Sequence, residues 1–387
     1  MPKVRVGAGV STQPDARVGA IEAAAAAREG LAGAPADLAV VFASGVHLAA
    51  PEATLEGVHE ALLPGQVVGC GAGGVLGDGR ELEDGTAVAV WAASFDEGSM
   101  ETFHARAVGE DDTAIDGLPD LAGGGALLLL PDPYSFPTDR VLSSLAVAAP
   151  GMPVVGGLAS ARTLEGSSAL FLGDRVVAQG AVGVRFQGID LLPCVSQGAA
   201  PVGPELTITA ADGHVIHELA GIPALEKVKE VVNALGGRER TLVGEGLLVG
   251  TVIDGGKPEY GPGDFLVRGL LGADPDTGAV AVGAAVHPGQ VIRLHARDAA
   301  SADRDLQRAL DFGMVALGGE PPAGALCFSC NGRGQGMFGA PDHDAAALDA
   351  VLRGAPTAGF FAAGEIGPVG GESFLHGFTA TVALFAP

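Results

Sequence analysis

The sequence predicts a mixed α/β protein: repeated strand–helix–strand units with antiparallel hairpins, in a two-part chain. A pattern that recurs three times and the hairpin-like stretch after each copy predict it. In each copy a short apolar strand ends in a small polar residue, a loop and a helix-like stretch follow, and a second strand runs into a glycine-rich turn. The first copy has the strand Leu38–Ala43 ending at Ser44, a helix near Pro51–Leu62, and Gln66–Val68 running into Gly69-Cys70-Gly71-Ala72-Gly73-Gly74. The second has Ala126–Leu130, a helix near Thr138–Ala148, and Pro153–Val155 before Gly156-Gly157. The third has Ala325–Phe328 ending at Ser329-Cys330, a helix near His343–Leu352, and Ala358–Phe361 before Gly364-Glu365. First strand and glycine turn are about 30 residues apart, the length a crossover connection needs. Such self-similarity points to duplicated α/β units. After each glycine turn, segments 80–95, 168–187 and 371–385 read as short strands with polar turns, hence antiparallel hairpins.

Segment 202–222 continues in this strand-rich style. A helix is expected from Pro223 to Ala234. Gly236-Gly237 then breaks the chain and places a boundary between parts 1–235 and 236–387. Segment 246–297 is again strand-rich, with turns at Asp254-Gly255 and Asp276-Thr277-Gly278. Residues 301–317 read as a helix, with Ser301 as N-cap and Asp303 in the first turn.

Composition narrows the function classes. Aromatic residues make up only 5% of the 387 residues, against 48% hydrophobic overall, so Ala, Val and Leu build the core. A chain this long buries a core without disulfide or metal staples. Acidic residues number 46 against 22 basic ones, a formal charge of −24. Nucleic acid must be neutralised by Lys and Arg, so neither a nucleic-acid partner nor an anionic membrane is expected. The charge serves solubility instead. Four cysteines without a framework of spacings fit a reducing cytosol. Met1–Val10 lacks the apolar run of a signal peptide, and no stretch approaches about 18 unbroken apolar residues. A cytoplasmic location is expected.

The richest chemistry lies in Cys327-Phe328-Ser329-Cys330-Asn331-Gly332-Arg333-Gly334, where a strand opens into a polar, glycine-rich loop. Loops leaving strand ends in crossover units are where ligands sit. Arg333 can hold a carboxylate or phosphate in a bidentate fork, or it can pair with an internal carboxylate and brace the loop. Glu365, among apolar and glycine neighbours, needs a partner or a raised pKa. His376 lies between apolar residues, as a ligand contact or as a hydrogen-bonded core residue. If Arg333 and Glu365 face one cavity, they can clamp the two charged ends of an amino acid or similar zwitterion. Ser44, Cys70 and Ser160 join from equivalent strand or turn ends, beside Ser329, Cys330 and Asn331.

Other patterns lead away from cofactors and metals. Gly69, Gly71 and Gly74 match G-x-G-x-x-G after a strand, but Gly77-Asp78-Gly79 breaks the helix a dinucleotide site requires. There is no P-loop, and Gly157-Leu158-Ala159-Ser160-Ala161 lacks the second glycine of a nucleophile elbow. Cys327 and Cys330 form a single C-x-x-C whose first member is inside a strand, so the thiols point to opposite faces. A structural zinc site needs a second such pair. Cys330 alone, at the loop mouth near Arg333, is a candidate reactive thiol. His214 and His217 split across the faces of a strand. Asp111-Asp112 and Asp342-His343-Asp344 read as loop and cap residues. No cofactor and no metal are expected.

Phe42-Ala43-Ser44 with Gly69-Cys70-Gly71, Gly156-Gly157-Leu158-Ala159-Ser160 and Val195-Ser196-Gln197-Gly198 resemble the FIST N-terminal region. Val267-Arg268-Gly269-Leu270, Phe328-Ser329-Cys330-Asn331-Gly332-Arg333-Gly334 and Gly359-Phe360-Phe361-Ala362-Ala363-Gly364-Glu365-Ile366-Gly367-Pro368 resemble the FIST C-terminal region. The resemblance runs from about residue 35 to the end. It implies a sensory, signal-transduction module that binds a small molecule, amino acids among the candidates. Family members carry output domains or an F-box beside these regions, so a separate signalling output protein is the expected partner. The alternatives are an enzyme using Cys330 or Glu365, and a protein-interaction scaffold.

Overall fold

The structure is a computed structural model that describes residues 3–109, 114–161, 168–253, 255–261 and 263–387. Asp254 of the expected turn and the Asp111-Asp112 pair lie outside the described residues. The chain forms two compact units. One comprises Met1–Ser196, Leu306–Leu375 and Thr379–Pro387; the other comprises Gln197–Asp305 with His376–Phe378.

The first unit holds three sheets, each founded on one of the three sequence copies. Leu38–Ser44 and Gln66–Gly71 pair in parallel, joined through the helix Pro51–Leu62. Ala126–Pro131 and Val154–Gly157 do so through Thr138–Ala148. Gly324–Cys330 and Thr357–Ala362 do so through His343–Val351. A return strand then lies antiparallel against the first strand of each copy: Ala87–Phe95, Ala181–Gln187 and Ala380–Phe385. Outside these pair Val4–Ser11, Ser99–Val108 and Leu191–Ser196.

The hairpins do not stay with the copy that precedes them. Val75–Gly77 and Arg80–Leu82 follow the first copy but pair onto Thr357–Ala362 of the third. Leu170–Leu172 and Arg175–Val177 follow the second copy but pair onto Gln66–Gly71 of the first. Glu365–Val369 follows the third copy and pairs onto Val154–Gly157 of the second, with Glu372–His376 beyond it. The exchange is cyclic. It covers the open edge of each parallel pair, an edge that would otherwise present unpaired backbone groups.

Period-two alternation sorts the side chains. Val40 and Phe42, Leu128 and Leu130, and Leu326 and Phe328 enter one core common to the three sheets. Their neighbours Val41, Leu129 and Cys327 face outward into separate helix-covered clusters. Aromatic contacts join the sheets: the Phe42 ring lies 4.9 Å from that of Phe360, and Trp91 lies 4.8 Å from Phe385. Each buried ring contributes about 1.5–3 kcal/mol, so a few rings can anchor a core made mainly of small aliphatic residues.

Among the described residues the second unit holds a seven-stranded antiparallel sheet in which Ala199–Asp212 pairs with both Val291–Arg297 and Val215–Leu219, so that the sheet closes on itself. The helix Ala224–Ala234 packs on one face of it. Gly236-Gly237 separates this helix from a second, Gly237–Glu245, within the same unit. The helix expected over 301–317 starts two residues earlier than the sequence indicated, at Ala299, and runs to Ala316. Ser301 is therefore not its N-cap: its hydroxyl donates back to the Asp298 carboxylate. Asp298 takes the expected place, its carbonyl accepting from Ser301 and Ala302. Among the described residues no helix is long and apolar enough to cross a membrane.

The three parallel pairs share a close approach. Gly69, Gly156 and Gly359 sit opposite Val41, Leu129 and Cys327, and a Cβ on any of them would fall within 2.0 Å of that partner's carbonyl oxygen. Gly359→Ala is expected to destabilise the protein by about 1–3 kcal/mol or more. Gly237→Ala, at a helix start with no heavy atom within 4 Å, should be neutral or stabilising. Chemical denaturation of both variants checks this.

Candidate functional site

Two features of the first unit gather the polar residues that the sequence singled out: a buried ionic cluster and an open cavity. The cluster forms where the third copy's first strand gives way to its loop. Arg333 and Asp344 are fully buried and paired side-on, with Nε to Oδ2 at 2.7 Å and Nη2 to Oδ1 at 2.8 Å. The Ser329 hydroxyl donates to Asp344 Oδ2 at 2.8 Å, and His343 Nδ1 lies 3.0 Å from Oδ1. His343 stacks on Phe338 at 3.4 Å between centroids, and the Arg333 guanidinium lies 5.2 Å from the same ring. Asp344 is thus far more than the loop or cap residue its sequence context indicated.

The exchanged hairpin supplies the rest. Glu81 Oε1 accepts from the backbone N–H groups of Asp344 and Ala345, at 2.7 and 3.0 Å. It thereby caps a helix whose own N-cap residue, Asp342, makes no side-chain cap bond. Asp342 Oδ1 instead accepts from the Glu81 backbone N–H at 2.6 Å, and Glu83 Oε1 accepts from that of Gln335 at 2.7 Å. A carboxylate at a helix N-terminus is favoured by the free N–H groups and the helix dipole.

Electrostatics divides these carboxyls into two kinds. Burial opposes ionisation of Asp344, but the charge and hydrogen bonds of Arg333, aided by His343 and Ser329, hold its carboxyl well below the usual range. Burial, with the charge of Asp344 adding to it, pushes Glu81 up to about 7. Burial pushes Glu365 up to about 8, against hydrogen bonds from Thr379 and Cys330 and the nearby charge of Arg333. Glu365 Oε2 accepts from the Thr379 N–H and hydroxyl at 3.0 and 2.8 Å. Among the described residues, Arg333 Nη1, Glu365 Oε1 and Glu81 Oε2 have no hydrogen-bond partner.

The cavity, of ≈ 1160 Å³, lies at the equivalent place on the first copy. There the loop after Ser44, the glycine turn and the hairpin exchanged from the second copy come together. Val46, Leu48, Gly73, Thr86, Ser160 and Val176 are among its walls. On the third copy, segment 334–342 lies over the matching hairpin, bonded to it through Asp342 and Glu83.

The predicted site residues distribute over both features. Ser160 lines the cavity; its hydroxyl accepts from Gly73 N–H at 2.8 Å and donates to the Phe361 carbonyl, so one side chain joins parts of all three copies. The Ser44 hydroxyl donates to the Gly85 carbonyl at 3.1 Å, holding the strand against a cavity wall. Cys70 is buried in the shared core, and burial pushes its thiol well up. Asn331 is exposed, and its Oδ1 would be 3.9 Å from a Cβ on Gly73. Ser329, Arg333 and Asp344 are bonded together, while Glu365 and Cys330 adjoin them. His376 is buried and belongs to the second unit. Cys327 is buried among apolar side chains, its thiol raised well above the ordinary range. Glu81 and Asp344 escaped the sequence reading. The alternation of a three-residue strand and an acid in a helix's first turn carry no sign of a partner more than 250 positions away.

A zwitterion clamp needs both ends of the Arg333–Glu365 pair in the charged form and free. Arg333 has one unengaged nitrogen, and Glu365 holds its proton below about pH 8.

The comparison with known proteins falls on the whole chain. Residues 37–222 match the FIST N domain and residues 224–368 match the FIST C domain. An uncharacterised protein of Mycobacterium tuberculosis is 46% identical over 384 residues, covering 99% of this chain and 100% of the relative. An uncharacterised protein of Mycobacterium bovis is 44% identical over 384 residues, covering 99% of each. Both matches contribute to both compact units: the N-domain match runs past Ser196 into the second unit, and the C-domain match begins there and returns to the first at Leu306.

Two predictions follow from the cluster. Arg333→Met and Asp344→Leu should each cost about 3–5 kcal/mol, because each strands a buried charge, and the double variant should cost less than their sum. A double-mutant cycle in denaturant measures this. Glu365 and Glu81 have folded-state pKa values raised above their unfolded value, so the folded state binds more protons. Stability should then fall as pH rises from about 5 to 8, by up to about 1.4 kcal/mol per pH unit per group. Glu365→Gln should flatten that slope and be more stable than the parent at pH 8, as urea midpoints at pH 5 and 8 would reveal.

Proposed function

This chain belongs to the FIST domain family, and on that premise we propose that it is a sensory module whose small ligand occupies the cavity beside Gly73 and Ser160. FIST domains are generally described as sensory or signal-transduction domains and are associated with small-ligand binding. The observation that carries the reading is the cavity itself. It combines apolar walls with a few polar groups at the convergence of strand-end loops, which is how small-molecule sites are built. Ser160 is among its polar lining groups, and Asn331 stands at its margin beside Gly73. Ser44 backs one wall through its bond to Gly85. Ser329, Cys330, Arg333 and Glu365 fix the loop that carries Asn331. Amino acids and similar zwitterions are the first ligands to test, and a separate output protein is the proposed recipient of the signal.

A ligand that binds only the folded state raises stability by about 2.7 kcal/mol at a concentration 100 times its Kd. A metabolite thermal-shift screen should therefore yield a stabilising compound. Gly73→Val should remove that response without unfolding the protein, because a Cβ at Gly73 meets only Ser160 Oγ at 3.8 Å and Asn331 Oδ1 at 3.9 Å. Consumption of a compound in place of stabilisation would support an enzyme acting through Glu365 or Cys330.

A further inference from the structure

The polar groups around the cavity have a direction. Asn331 is tethered through its backbone, whose N–H donates to the Ala362 carbonyl at 2.9 Å, while its carboxamide makes no hydrogen bond to any described residue. Its Oδ1 points toward Gly73 and Ser160 at the cavity margin. Ser160 spends its one hydrogen on Phe361 and accepts from Gly73, so only a lone pair remains for a ligand. Ser168, also in the wall, spends its hydrogen on Asp132 Oδ1 at 2.5 Å. Glu52 brings a carboxylate from the first turn of the helix Pro51–Leu62. The Thr86 hydroxyl accepts from Val46 N–H at 3.1 Å and keeps its hydrogen, making it a side-chain donor in the wall. Among the side chains that line the cavity, acceptors outnumber donors, the Asn331 carboxamide at its margin offers both an acceptor and N–H donors, and the walls between them are apolar: Val46, Leu48 and Val176.

Resting on the cavity reading above, we propose that this site recognises the N–H donor group of a small amphipathic molecule, a primary amine or primary amide on an apolar body. Glu52 receives an amine, the Asn331 carboxamide and Ser160 receive amide N–H groups, and Thr86 donates to the amide carbonyl. A ligand carboxylate would instead face the Glu52 carboxylate, and like charges brought together in a partly desolvated site cost affinity. The net charge of −24 adds a field that concentrates cations. Of an amino acid's two charged ends, this assigns recognition to the amine.

The test uses the full chain and three probes on one skeleton: benzylamine, benzamide and benzoate, with cyclohexylmethylamine and cyclohexanecarboxamide as non-aromatic counterparts. Binding is read by calorimetry and thermal shift. The amine and amide should bind more tightly than benzoate. Glu52→Gln should weaken benzylamine about three- to fivefold and leave benzamide unchanged. Asn331→Leu should weaken benzamide about two- to tenfold. Tighter binding of benzoate, or amine and amide affinities unmoved by both substitutions, would overturn the assignment of ligand class while leaving the cavity intact as a site. Binding that survives Gly73→Val unchanged would overturn the cavity reading, and absence of binding by all five probes would overturn both.

Discussion

Each sheet of the first unit is finished by a hairpin from another copy, and almost everything else depends on that exchange. A parallel pair such as Leu38–Ser44 and Gln66–Gly71 leaves one edge open. The edge closes only when Leu170–Leu172 arrives from the second copy. The third copy needs the first in the same way, and the second needs the third. No copy can satisfy its backbone alone, so the three sheets stand or fall together. The crossing points are the glycine turns, which is why these turns converge and why Ser160 can bond to Gly73 and Phe361 at once.

The same exchange creates two different environments at equivalent places. On the third copy the incoming hairpin carries Glu81 and Glu83. These acids hold the loop and helix start around a buried Arg333–Asp344 pair. On the first copy the incoming hairpin carries Val176 and Ala178, and a cavity remains. Duplication supplied the frame, and a few side chains decided whether it was braced or open. The braced place is costly to disturb, since removing either partner leaves an uncompensated buried charge. It also carries Asn331 to the edge of the open one. The division suits a binding module: a rigid frame beside a site with room for a ligand.

Much of this was legible in the sequence. The three strand–helix–strand units stand out because each element has its own period: apolar runs for buried strands, amphipathic stretches for helices, glycine for turns. The helix Pro51–Leu62 has a proline in its first turn and buries one apolar stripe, both features local to the sequence. Ser301 misled because a serine before an apolar-periodic stretch looks like an N-cap, and only the structure shows Asp298 in that role. The Asp342-His343-Asp344 run misled for a related reason. An acid in a helix's first turn is locally sufficient as a cap, so nothing marked Asp344 as the partner of Arg333.

Local chemistry thus determined the element types, the repeated units, the family-type motifs and the residues able to carry charge or hydroxyl groups. Short-range periodicity and turn preferences act over a few positions, which a linear reading can see. The tertiary structure alone decided which sheet each hairpin joins, that Glu81 caps a helix more than 250 residues later, and that Arg333 is paired while the first copy keeps a cavity. Those outcomes depend on which distant edges and buried charges meet, and on the desolvation they share once they have met. No spacing along the chain encodes that cost.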